Sequence, residues 1–106
     1  MLQKLISALI LFSSFTAHSE ILNWALEEGS LDWKSAVEIC KSKSMRLPTK
    51  KELLSVYKTP ERKKWKNNWY WTNDELDKER AWIVVLNVGD IVHIPKHYHN
   101  HVRCIQ

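Results

Sequence analysis

Two cysteines, Cys40 and Cys104, constrain the fold of this chain more than any other feature of its sequence. They are its only cysteines and lie far apart. In an exported chain an even count reads as a disulfide; in a reducing compartment the same residues would be two free thiols. A bridge here would close about 65 residues, which on the chain-entropy account stabilises a fold by roughly 4 kcal/mol. The choice between bridge and thiols turns on whether the chain leaves the cytoplasm.

Residues 1–19 carry the parts of a cleavable secretion signal in order. Lys4 supplies the positive start, Leu5 to Phe12 with Phe15 the apolar run, and Ala17-His18-Ser19 the small residues read at the cut. An uncleaved anchor would need about 20 apolar residues, and Ser13, Ser14, Thr16 and His18 end the run early. The expectation is a secreted or periplasmic product, starting near Glu20, with no stable membrane anchor. Residues 20–106 then form one domain, since neither repeats nor a linker divide them. A domain this small buries only about 60% of its unfolded surface. Six tryptophans, all after the signal, bring large apolar area to compensate.

Periodicity predicts helices first and strands after. Ile21 to Ala25 reads as a short strand and Glu27-Glu28-Gly29-Ser30 as a turn. Asp32 caps a helix from Trp33 to about Ser42, in which Trp33, Ala36, Val37 and Cys40 share one face. Leu47-Pro48 breaks the chain, Thr49 to Glu52 reads as a capping box opening a second helix, and Pro60 ends that helix. Arg62 to Asn68 is expected to be a loop. Strands follow at Trp69–Thr72, Ala81–Asn87, Ile91–Ile94 and Tyr98–Ile105, with a tight turn at Asn87-Val88-Gly89-Asp90. The class is α+β: two helices followed by a small antiparallel sheet.

Several segments together resemble a known family. Leu31 to Cys40 is similar to an "LTWxxAxxYC" helix, and Met45 to Leu53 to a "WRLPTxxEL" segment. Tyr70-Trp71-Thr72, Ala81 to Val84, and Val102-Arg103-Cys104-Ile105 resemble "YWSST", "AWxV" and "VRCV" in the same order. This is the pattern of the C-terminal domain family of bacterial collagen-like adhesins, which has a C-type-lectin-like fold. The resemblance implies a Cys40–Cys104 pairing and terminal strands that lie together. Lys43-Ser44-Met45 departs from the Gly-Gly-Trp that often precedes Arg-Leu-Pro in that family. Its longer members carry the domain at the tip of an adhesin.

Charge supplies the first candidate site. Residues 41–66 hold ten basic residues and only Glu52 and Glu61, while the rest of the chain after residue 19 holds five basic and ten acidic ones. Arg62, Lys63, Lys64 and Lys66 interleave with Trp65 and Trp69, and Lys50, Lys51 and Lys58 are candidates for the same side. Such a cluster attracts polyanions, and aromatics beside it can stack on sugar rings. Outside the cytoplasm the polyanions are sulfated glycans, lipopolysaccharide phosphates or acidic surface polymers rather than nucleic acid. The bland alternative is a solubilising charge run with core tryptophans.

His97, His99 and His101 alternate on the last expected strand, so all three would share one exposed face at about 7 Å spacing. With His93 they make a candidate zinc or copper site; the alternative is a solvated strand face. Calcium is not expected. That cation needs six or more oxygens, and the chain has neither Glu-Pro-Asn nor Gln-Pro-Asp, the tripeptides of calcium-dependent lectins. Enzymatic relatives of the fold use active-site cysteines, and both cysteines here are assigned to the bridge. No Ser-His-Asp spacing, Gly-rich phosphate loop or paired-carboxylate motif stands out. The expectation is a non-enzymatic module binding an anionic glycan or a surface protein. The runner-up is a periplasmic metal-binding protein, and a third reading is a small structural or inhibitory partner of an envelope protein.

Overall fold

A computed structural model describes residues 23–106. The expected secretion signal, and Ile21 and Leu22 of the first expected strand, lie outside the described residues. The elements run β1 (Trp24–Leu31), α1 (Trp33–Ser42), α2 (Lys50–Tyr57), a 3-10 helix (Pro60–Lys64), β2 (Trp69–Glu75), β3 (Arg80–Val85), β4 (Asp90–Pro95) and β5 (Asn100–Ile105). The five strands form one mixed sheet in the order β1-β5-β2-β3-β4.

Strand β5 holds the sheet together. It pairs antiparallel with β1 (Trp24 opposite Ile105, Leu31 opposite Asn100) and parallel with β2 through Tyr70 and His101. Cys104 on β5 is bridged to Cys40 on α1, with Cα atoms 5.4 Å apart. The α+β class and the disulfide are as expected. The sheet is mixed rather than purely antiparallel, because β5 returns beside β2 in the same direction.

Helix α1 covers one face of the sheet. Its Ala36 and Cys40 pack with Leu47, Trp71, Ala81, Ile83, Val102 and Cys104. Helix α2 covers the other, where Leu53 and Val56 pack with Trp65, Tyr70, Val84 and Leu86. Alternation along each strand sends successive side chains to opposite layers, so Trp71 and Tyr70 anchor different cores. Both helix starts follow the sequence: the Asp32 side chain accepts from the Ser35 amide, and Thr49 and Glu52 form the capping box.

Several elements differ from expectation. Residues 27–30 belong to β1 instead of a turn, and the register of β1 on β5 shifts on either side of Glu27. Bulges recruit the same residues as turns, and Gly29, at φ 101°, takes a backbone conformation that favours glycine. Pro60 opens the 3-10 helix, after α2 has already ended at Tyr57. Strand β2 runs on to Glu75, three residues past its expected end. Strand β5 starts at Asn100 because the Tyr98 amide closes a turn onto the Pro95 carbonyl at 3.1 Å.

The β3–β4 connection is a tight turn, but β3 ends at Val85, two residues before its expected end, so the turn takes residues 86–89; Gly89 is at φ 78° with its amide 2.8 Å from the Val85 carbonyl. A Cβ at Gly89 would lie 2.6 Å from Cε2 of Tyr57. Gly89→Ala is therefore expected to destabilise the fold by about 1–3 kcal/mol, read by urea unfolding. Gly29→Ala, where a Cβ meets nothing within 4 Å, should cost less.

Candidate functional site

The basic segment is wrapped onto the sheet rather than left as a free loop. The 3-10 helix turns the chain so that Trp65 drops into the α2-side core, only 6% exposed. Its ring meets Trp24 and Tyr70 edge-on at 5.0 Å each. The Arg103 guanidinium lies over the same ring at 4.4 Å, and the indole N–H donates to Glu61 at 3.2 Å. Trp65 is thus a core residue with its faces covered, and it is not free to stack on a ligand. Its large apolar body gains more from burial than from solvent.

Two residues further on, Asn67 ties the loop down. Its Nδ2 donates to both carboxylate oxygens of Glu27, at 2.8 and 2.9 Å. The Tyr70 hydroxyl donates to the same carboxylate at 2.9 Å, and His101 Nδ1 lies 2.5 Å from it. This half-buried cluster joins β1, the loop, β2 and β5 around one anion. Burial alone would push the Glu27 carboxyl up, but the hydrogen bonds from Asn67, Tyr70 and His101 outweigh it and hold the pKa below its ordinary value. The Tyr70 phenol is pushed up, first by burial and then by its bond to Glu27.

Above this base the lysines point outward. Lys63, Lys64 and Lys66 are exposed, and Lys64 makes only a loose 3.7 Å ion pair with Glu61 while 77% exposed. Arg62 is half-buried, its guanidinium 5.5 Å from the Tyr57 ring. Trp69, 48% exposed, pairs with Val85 and by strand alternation stands on the α1 side, opposite Tyr70. Of the expected group, the structure therefore leaves Lys63, Lys64 and Lys66 exposed, close together in sequence. It commits Arg62 and Trp65 inward and turns Trp69 away.

Other cations of the segment are also committed elsewhere. Arg46 forms a two-pronged pair with Glu52 at 2.8 and 2.9 Å, Lys43 pairs with Glu28, and Lys50 sits 4.5 Å over the Trp82 ring. Lys51 and Lys58 are exposed.

The histidines do not form the shared strand face that alternation implied. His97 lies in the β4–β5 turn against Tyr98, and His99 precedes β5. Both are exposed, whereas His101 is held by Glu27 and His93 accepts from Arg80 Nε at 2.9 Å. The early turn at Pro95–Tyr98 removes the first two from the ladder. Among the described residues no group of three His, Cys, Asp or Glu side chains is placed to hold a metal ion.

The arrangement is that of a cationic loop tied to the sheet through Trp65 and Asn67. The family described as Domain of unknown function (DUF8780) has a model that matches residues 26–106. The chain belongs to that family. No curated protein matches it. The match begins just before Glu27, so the DUF8780 domain includes every residue of the Glu27 cluster, the loop and both cysteines.

The cluster predicts an acid response. Because the native pKa of Glu27 is depressed, its contribution to stability is full above about 4.5, the ordinary value, and is lost as pH falls through the lower native value. Glu27→Gln is expected to lower Tm at pH 7, with the gap to wild type closing as pH falls from about 5 to 3. A gap independent of pH over that range, followed by circular dichroism, would contradict the charged role of Glu27.

Proposed function

We propose that this DUF8780 domain is an exported, non-enzymatic binding module with a C-type-lectin-like arrangement. In this reading it recognises an anionic glycan or an anionic surface protein through Lys63, Lys64 and Lys66. The observation that carries the reading is the fixed base under those lysines. Trp65 and Asn67 hold the loop on the sheet, so less of its freedom is lost on binding than from a mobile charge run. The contact is electrostatic, and it is expected to weaken with salt.

Two features support the lectin-like arrangement. The disulfide joins the first helix to the last strand, and the first and last described strands pair antiparallel. The disulfide also supports export, because such bridges persist in oxidising compartments. No helix of the described residues is long and apolar enough to cross a membrane. The metal reading gains no comparable support, since the histidines are spread over a turn, a connecting segment and two strands.

Heparin–Sepharose tests the proposal. Wild-type protein is expected to elute above about 0.15 M salt, where exposed charges are already screened within roughly 8 Å. A Lys63→Ala/Lys64→Ala/Lys66→Ala variant with unchanged Tm is expected to elute well below it. Elution of the wild type below that salt, or no difference between the two, would overturn the assignment.

A further inference from the structure

The opposite end of the sheet carries a groove that the loop does not reach. Strand β2 starts at the loop and ends at Glu75, so its seven residues put roughly 20 Å between the two places. The groove occupies about 630 Å³ between the β2–β3 turn and the β4–β5 turn, and continues for about 420 Å³ to the start of α1. Both volumes fall in the range of small-molecule sites, about 300–1,000 Å³.

Its frame is fixed by backbone bonds through Lys96. The Lys96 amide donates to the Glu79 carbonyl at 2.8 Å, and the Trp33 amide donates to the Lys96 carbonyl at 2.9 Å. Lys96 Nζ donates to the Lys78 carbonyl at 3.0 Å and to Glu75 at 3.2 Å, and lies 4.5 Å over the Trp33 ring. Three separate segments are thereby locked around one space.

The charges in this frame are unevenly used. Asp32 accepts from the Ser35 amide at 2.7 Å, and Asp77 accepts from the amides of Glu79 and Arg80 at 2.8 and 2.9 Å. Both carboxyls are held below their ordinary pKa by those bonds. Arg80 is taken up by His93, through Nδ1 at 2.9 Å and the carbonyl at 3.0 Å. Lys34, Lys78 and His97 are exposed lining residues with no ion-pair or hydrogen-bond partner for their side chains among the described residues, and Glu79 is the lining acid in the same position. Pro95 adds apolar surface to the larger part of the groove, and Trp33, with Lys96 over its ring, lines the smaller part.

From this we infer that the groove is a second binding site, for a carboxylated sugar ring. Lys34 and Lys78 take the carboxylate as compact ammonium charges. Pro95 takes the apolar C–H side of the ring, and Glu79 and His97 are the polar groups for its hydroxyls. A neutral sugar lacks the group that the two lysines recognise.

The test is a titration of 15N-labelled protein with trigalacturonate, using neutral galactotriose as the control. The Trp33 indole N–H, which donates to the Thr72 carbonyl at 2.8 Å, is the reporter beside the groove. Trigalacturonate is expected to shift that signal and the Lys34 and Lys78 amides, and galactotriose to leave them in place. A Lys34→Ala/Lys78→Ala variant should show groove shifts only at concentrations at least tenfold higher, whereas the Lys63/Lys64/Lys66 variant should keep the groove shifts at wild-type concentrations even where shifts at residues 62–69 are lost. Equal shifts with the neutral sugar, or undiminished binding by the Lys34/Lys78 variant, would overturn the groove assignment. Shifts confined to residues 62–69 would also overturn it while leaving the loop reading intact. Groove shifts in a protein that fails on heparin would support the groove and remove the loop.

Discussion

The Cys40–Cys104 disulfide is the constraint on which the rest of the structure depends. It fixes α1 to β5 across 64 residues of chain. Strand β5 is itself hydrogen-bonded to β1 on one side and β2 on the other. Glu27, Tyr70, His101 and Arg103, which meet the cationic loop from below, lie on that covalently pinned strand or on a strand paired with it. His101 and Arg103 leave β5 toward the α2 side, between the alternating core residues Val102 and Cys104. One grips Glu27 and the other caps Trp65. The bridge and the site are consecutive layers of the same strand.

The fold also divides the cations of the basic segment between paired and exposed positions. Taken as a run, residues 41–66 read as one positive segment. In the fold, Arg46, Lys43 and Lys50 are spent on Glu52, Glu28 and the Trp82 ring, so what remains accessible at the loop is a short group of lysines. Surface pairs of this kind contribute little stability each. Their larger effect here is on which charges are left facing solvent. The groove at the far end follows the same logic, with its aspartates occupied by amides and two of its lysines unoccupied.

Much of the fold was legible because it is written locally. The spacing of Trp33, Ala36, Val37 and Cys40 and the cap at Asp32 specify α1, and the Thr49–Glu52 box specifies the start of α2. The bulged β1 was not legible, since Gly29 and its neighbours carry the same local signal as a turn. Trp65 was ambiguous for a different reason. Between lysines it has no periodic partners, and only tertiary packing on Trp24 and Tyr70 makes it core. The Glu27 cluster was invisible in one dimension, because Tyr70 and His101 stand 43 and 74 positions from Glu27. The alternation of His97, His99 and His101 misled because strand periodicity does not report where a strand begins.

The central claim is that residues 62–69 are a fixed shelf on the sheet, with Trp65 as its root. Nuclear Overhauser contacts from the Trp65 ring, measured on the labelled protein in solution, test this most directly. Contacts from that ring to Trp24, Tyr70 and the Arg103 side chain are the predicted result. A Trp65 ring with none of these contacts and with random-coil chemical shifts would contradict it, and the lysines would then be an ordinary solvated charge run.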